Sequence, residues 1–294
     1  MAGLIVVGAD GSPSSLAAVE EAAQEARWRG AGLRVVYAYV WPAMHPPVDS
    51  SLLGPEGGLR AGVEELVAES VARARATAPD VEVTHAVVTG QPLTVLEKES
   101  RGADLVVVGS RGRGGFVGLL VGSTAVHLAA HGSCPVLVVR EGGVESGPVL
   151  LGVDGSPAGE QAVDFAFSEA ALREAPLVAL HAWTTWNAPL PPPQDASEPN
   201  ANPPGALAAA EQRLLSEALA GHRDRYPGVE VELRSVRGRT RETLIEASRS
   251  AQLVVAGARG RGGFTGLLLG SVSQALLHHA HCPVAVVRGV GTDD

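Results

Sequence analysis

Residues 109–123 read G-S-R-G-R-G-G-F-V-G-L-L-V-G-S, and residues 257–271 read G-A-R-G-R-G-G-F-T-G-L-L-L-G-S. The second copy begins 148 residues after the first and keeps six glycines at one spacing. Extended to residues 109–140 and 257–288, the copies align without a gap and agree at 20 of 32 positions. The opening is duplicated too: L-I-V-V-G-A-D-G-S-P at 4–13 returns as V-L-L-G-V-D-G-S-P at 149–157, offset by 144. A period of this size is a domain, too long for a solenoid repeat. The sequence therefore predicts two tandem domains, 1–140 and 148–294, joined by the Gly-rich polar segment 141–147.

Each half alternates apolar runs with amphipathic ones. Predicted strands are 4–9, 33–40, 81–89, 105–109 and 136–140, then 149–153, 177–183, 229–237, 253–258 and 284–288. Many are near-continuous in Val, Leu and Ile, as in parallel strands covered on both faces. Predicted helices are 13–29, 59–78, 93–101 and 123–131, with partners near 206–225, 240–250 and 271–281. Ser12 with Pro13, and Ser156 with Pro157, mark a helix start in each half. The fold class is α/β: two open parallel sheets, each with helices on both faces and right-handed crossovers. Long Pro-rich connections follow the second strand of each half, at 41–58 and 183–205, and are read as surface loops, lids or docking segments.

Open α/β sheets bind ligands beyond the carboxyl ends of their strands, where the strand order reverses. Asp10 and Asp154 end each first strand, and Gly109 and Gly257 end each fourth. Glycines give backbone N–H donors without bulk, and the pairs Gly122-Ser123 and Gly270-Ser271 open the next helix, whose free amides and dipole favour an anion. This is a phosphate cradle in duplicate. Arg111, Arg113, Arg259 and Arg261 are candidates to add positive charge, or to remain simply solvated. A carboxylate would be repelled by phosphate, so Asp10 and Asp154 are assigned to ribose hydroxyls, with capping beside Ser12 or Ser156 as the alternative.

Other chemistry is disfavoured. No Walker motif is present, and the single lysine, Lys98, is far from either glycine run. The glycines follow the fourth strand rather than the first, against a dinucleotide dehydrogenase. Kinase motifs and a nucleophile elbow are missing. His127 and His131, and His278, His279 and His281, have no recurring partner set, so they are read as cations at helix C-termini and no metal site is expected. A net charge of −9 without a basic stripe argues against nucleic acid. No apolar run is long enough to span a membrane and no signal peptide is read at the start, so a cytoplasmic protein is expected. Cys134 and Cys282 occupy matching C-P-V positions and read as core residues.

At the spacing G-x-x-G, nine residues, G-S (Gly109, Gly112, Gly122-Ser123; Gly257, Gly260, Gly270-Ser271), the chain resembles the universal stress protein family in its tandem, ATP-binding form. The closing C-P-V-L-V-V-R and C-P-V-A-V-V-R also look like that family's last strand. The resemblance implies a Rossmann-like domain of five parallel strands that binds ATP or a related adenine nucleotide, with or without Mg2+. It implies that Ala9 and Asp10, and Val153 and Asp154, line the ribose pocket, and that Ala38 and Ala182 meet adenine through their backbone. Val108 and Gly109, and Ala256 and Gly257, would flank the ribose and first phosphate. Arg111, Gly112, Gly122, Ser123 and Thr124 would hold the phosphates in the first half, as would Arg259, Gly260, Gly270, Ser271 and Val272 in the second. The halves depart from each other at Tyr37 and His181. Implied partners are the two halves as an internal pseudo-dimer through 136–140 and 284–288, a homodimer, and a regulatory protein.

The function expected is a nucleotide-dependent stress regulator or sensor that binds rather than turns over, because no general base stands out. A slow ATPase or ATP-dependent transferase, a nucleotide-free docking scaffold, and AMP or a cyclic nucleotide as the ligand are the alternatives.

Overall fold

The computed structural model describes residues 3–39, 57–112, 121–140, 144, 146–184, 205–261 and 268–289. The greater part of both Pro-rich connections, the middle of each glycine stretch with Arg113, Val40, and most of the predicted linker lie outside the described residues. The chain divides into two compact units, 1–141 and 142–294.

In the first unit the order is β1 (Leu4–Gly8), α1 (Pro13–Arg29), β2 (Gly32–Tyr39), α2 (Gly57–Thr77), β3 (Val83–Thr89), α3 (Pro92–Glu99), β4 (Leu105–Gly109), α4 (Ser123–His131) and β5 (Val136–Val139). The strands run parallel in the order β3-β2-β1-β4-β5. Ile5 stands between Leu33 and Leu105. Ile5, Val6 and Val7, and Leu105, Val106 and Val107, are fully buried, as the apolar runs require for strands covered on both faces. The chain passes from β1 to one side and later returns to its other side as β4. The reversal point is therefore the crevice above β1 and β4.

Helix α1 begins where Ser12 Oγ accepts the Ser15 N–H at 3.2 Å, with Pro13 in the first turn, and ends at Gly30 in the left-handed region (φ 60°). Its inner face is small: Ala18, Ala22, Ala23 and Ala26 are fully buried, which lets the helix lie close on the sheet. Glu25, buried, is neutralised by Arg29 one turn on (3.1 Å); Glu169 and Arg173 repeat the pair in the second unit (2.9 Å).

The second unit comprises β6 (Val149–Gly152), α5 (Glu160–Leu172), β7 (Leu177–Trp183), α6 (Ala206–Ala218), α7 (His222–Arg225), β8 (Val231–Arg237), α8 (Thr240–Ala247), β9 (Leu253–Gly257), α9 (Ser271–His279) and β10 (Val284–Val287). Its parallel order, β8-β7-β6-β9-β10, reproduces the first. Beyond small shifts at element ends, two helical segments differ from the sequence expectation. Residues 157–159 form a 3-10 turn and α5 starts only at Glu160, because Ser156 Oγ donates to Asp154 Oδ1 (2.7 Å) instead of capping. Segment 206–225 is two helices, broken at Gly221, whose φ of 80° no right-handed helix allows.

Cys134 and Cys282 are buried thiols, neither in a disulfide, ahead of β5 and β10. Burial pushes the Cys134 thiol up to about 12. Since the thiolate is the reactive form, neither cysteine is expected to react with a disulfide reagent within minutes at about pH 8, and both should react in denaturant. Fast labelling of folded protein would contradict this packing.

Candidate functional site

In each unit the end of the first strand, the end of the fourth and the N-terminus of the last helix converge. In the first unit Asp10 Oδ1 accepts the Ser12 N–H (2.9 Å). A Cβ built on Gly112 would lie 2.5 Å from Asp10 Oδ2, so the loop after β4 passes directly over this carboxylate. Two hydroxyls fix the loop: Ser14 Oγ accepts the Arg111 N–H and Ser12 Oγ donates to the Arg111 carbonyl, each at 3.3 Å. The loop's far end returns through Gly122 N–H to the Ser110 carbonyl (2.7 Å). This return bond sets the first turn of α4 beside residues 110–112. Gly122 is the cap residue and has no side chain to cap with. The amides of Ser123 and Thr124 have no acceptor among the described residues. Ser123 is exposed and Thr124 half-buried.

The second unit builds the same shape with different groups. Asp154 Oδ1 accepts from both the N–H (2.9 Å) and the hydroxyl (2.7 Å) of Ser156, and Oδ2 accepts the Arg261 N–H (2.7 Å). Gly270 N–H returns to the Ala258 carbonyl (2.7 Å). The positions of Ser14 and Ser110 are held by Ala158 and Ala258; here Ser273, from α9, donates to the Gly257 carbonyl (2.6 Å). The amides of Ser271 and Val272 likewise meet no described acceptor. A cavity of about 400 Å³ opens beside this loop, between Gly155 and Arg261 on one side and Ala210, Arg213, Leu214 and Glu217 of α6 on the other.

The remaining predicted residues fall around these centres. Ala9 and Val153 are buried, their N–H groups bonded to the Val36 and Leu180 carbonyls (2.9 and 3.0 Å). Backbone groups two residues apart in a strand point the same way, so Ala38 and Ala182 turn theirs over the ends of β1 and β6. The Ala182 carbonyl already accepts from Thr240 Oγ1 (3.0 Å). Val108 and Ala256 are buried and lie within the strands next to Gly109 and Gly257. Arg111, Arg259 and Gly260 are exposed.

The structure adds reasons the sequence did not show. At Gly109 a Cβ would fall 2.7 Å from the Ser14 backbone, and at Gly260 it would collide with Asp154 Oδ2. These glycines are demanded by the protein's own packing. At Gly122 a Cβ would meet no described atom closer than 3.7 Å, so among the described residues its side-chain space is open. Missed altogether were the closing hydroxyls of Ser14 and Ser273, and a buried pair in the second unit, His181 with Glu211. His127 stacks on His131 (centroids 4.2 Å) and its Nε2 lies 2.9 Å from Glu97, which holds the Glu97 carboxyl below its ordinary value. Among the described residues no group of three or more His, Cys, Asp or Glu is placed to hold a metal ion, and no helix is long and apolar enough to cross a membrane.

Comparison with known proteins gives a consistent result. A model described as the universal stress protein family matches residues 1–140 and 146–288. A universal stress protein of Mycobacterium tuberculosis H37Rv is 37% identical over 296 residues, covering 97% of this chain and 96% of its own. One of Mycolicibacterium smegmatis is 38% identical over 298 residues, with coverage of 97% and 96%. A crystal structure of a universal stress protein from Archaeoglobus fulgidus superposes with a TM-score of 0.69 at 19% identity, covering 99% of this chain and 97% of that one, and shares the fold.

Proposed function

Since the chain belongs to the universal stress protein family, we propose that each half binds one adenine nucleotide, ATP in the first instance, and that the occupied protein acts as a regulator or sensor. The observation that carries this reading is the open first turn of α4 and of α9. Its amides meet no acceptor among the described residues, its cap residue is glycine, and a 2.7 Å bond draws it against the end of the fourth strand. Backbone donors with a helix dipole behind them suit a phosphate group. No described atom fills the space above Gly122, which suits one.

The adenosine end fits the opposite side of the crevice. Ala38 and Ala182 present backbone groups above β1 and β6, in reach of a planar base. Asp154 spends three acceptor positions on Ser156 and Arg261, and a carboxylate has about four, so one remains for a ribose hydroxyl. The aspartates thus have two tasks, holding the loop and meeting the sugar. A triphosphate would bring Mg2+ with its own water ligands, since the described residues form no cation cage. Binding rather than turnover is the reading preferred, because Asp154 already holds Ser156 and Arg261, Asp10 holds the Ser12 N–H, and neither stands as a free general base. A cytoplasmic setting, a homodimer and a regulatory protein partner complete the proposal.

Mass spectrometry of small molecules released from denatured pure protein tests the reading. Adenine nucleotide approaching two per chain is the expected result; empty protein with no ATP-induced thermal shift would reject it. Asp10→Ala combined with Asp154→Ala should weaken nucleotide by about 100-fold or more, on the order of one or two charge-assisted hydrogen bonds per site. Titration calorimetry giving wild-type affinity for that variant would remove the ribose role.

A further inference from the structure

The two sites are built on unequal supports. His181 of β7 and Glu211 of α6 are both at least 95% buried, with His181 Nε2 2.6 Å from Glu211 Oε2. His181 Nδ1 lies 2.7 Å from the Val153 carbonyl. A carbonyl only accepts, so Nδ1 carries a proton and donates it. Val153 is followed by Asp154, whose Oδ2 holds the Arg261 N–H of the glycine loop. One chain of contacts therefore runs from α6, through β7 and the end of β6, to the loop. Its two ends are the two walls of the 400 Å³ cavity: α6 on one side, Gly155 and Arg261 on the other.

The first half has no such tie at these positions. Tyr37 occupies the place of His181. Leu66 packs on Gly11 as Leu214 packs on Gly155, which aligns α2 with α6 and puts Val63 where Glu211 stands. A hydrogen-bonded buried pair in the low-dielectric interior holds its neighbours in one arrangement, because breaking it strands polar groups away from water.

We infer that His181 and Glu211 are positioning residues for the second site alone. They fix Asp154 and the cavity walls before ligand arrives, so that the second half is the pre-organised, tighter nucleotide site and the first half the adaptable one. The inference rests on the nucleotide reading above for its ligand, but its mechanical part does not. The shared proton between Nε2 and Oε2 serves in either charge state of the pair.

The test confines binding to the second half with Gly122→Val and compares three chains: that parent, His181→Phe with Glu211→Leu, and His181→Asn with Glu211→Leu. The Phe variant removes the pair without leaving a buried charge. The Asn variant restores only a donor for the Val153 carbonyl. Affinity for a fluorescent ATP analogue should fall about tenfold in the Phe variant, the equivalent of one strong hydrogen bond, and return in the Asn variant. Amide exchange over residues 153–156 and 258–261 of the nucleotide-free protein should quicken in the first and recover in the second. If the Phe variant does not fold, His181→Tyr with Glu211→Val, the residues of the first half, replaces it and is read the same way. Unchanged exchange in a folded variant without the pair overturns the inference, and so does equal behaviour of the Phe and Asn variants, which would reduce the pair to packing. A parent that binds no nucleotide overturns the proposed function instead, and exchange still decides the positioning role.

Discussion

Gly122→Val should lose nucleotide binding at the first site by about 100-fold or more, roughly 2.7 kcal/mol, while the chain folds as before. The backbone at Gly122 is extended (φ −71°, ψ 152°), a conformation valine adopts freely. Among the described residues a Cβ there would meet the Ser110 carbonyl at 3.7 Å and the Arg111 Cα at 4.0 Å, both ordinary contacts. The cost to the protein is a poorer helix cap, about 1 kcal/mol. The cost to a ligand is much larger, because the branched side chain would stand in front of the Ser123 and Thr124 amides. Calorimetric stoichiometry should halve while the far-ultraviolet spectrum is unchanged. Gly270→Val is less selective: its Cβ would already press on the Ala258 carbonyl at 3.3 Å, so some loop movement accompanies the loss. Full stoichiometry at undiminished affinity in Gly122→Val would show that no phosphate lies over that turn.

Gly109→Ala has the opposite signature, a large loss of stability from the smallest possible side chain. Its Cβ would lie 2.6 Å from Ser14 Oγ and 2.7 Å from the Ser14 carbonyl carbon and oxygen. Backbone cannot rotate away, so the first turn of α1 must lift from β4. Overpacking of this kind costs about 3 kcal/mol, or roughly 10 °C in melting temperature for a unit of this size. The matched change in the second unit, Gly257→Ala, presses on the Arg259 carbonyl at 3.0 Å, meets Ala158 and Gly159 at an ordinary 3.8 Å, and should cost about 1 kcal/mol. Differential scanning calorimetry of the two variants provides the comparison. Equal melting shifts would mean that the closeness of α1 to β4 is not the reason for glycine at position 109.

These paired positions show what kind of information the sequence carries. The strand–helix alternation was readable because burial on both faces forces long Val, Leu and Ile runs, as in β1 and β4. Ser12 and Pro13 announced the start of α1 because capping is a local interaction. The glycine stretch was readable at the carboxyl end of β4 and β9 because it occurs twice. What was not readable depends on contacts distant in sequence. Ser14 reaches Arg111 across 97 residues, and His181 reaches Glu211 across 30, beyond a long Pro-rich connection. Local signals also failed where a competing bond won. Ser156 has the same serine-proline signature as Ser12, yet its hydroxyl goes to Asp154, and α5 begins three residues later than α1 would suggest. The N–H groups of the glycine loop were read as ligand donors, and several are already taken: Arg111 by Ser14, Arg261 by Asp154, and Gly122 and Gly270 by the Ser110 and Ala258 carbonyls.

The closing hydroxyl comes from opposite ends of the motif in the two halves. Ser14 supplies it from the first helix of one half, Ser273 from the last helix of the other, and each has alanine at the reciprocal place, Ala158 and Ala125. The two halves therefore close the same turn with unlike bonds, one hydroxyl accepting the Arg111 N–H and the other donating to the Gly257 carbonyl. Recombinant hybrids should show this as an asymmetry. A half assembled from α5 and α4 would inherit neither hydroxyl and keep its loop through the aspartate and the glycine return bond alone, whereas the reciprocal hybrid, from α1 and α9, would carry both.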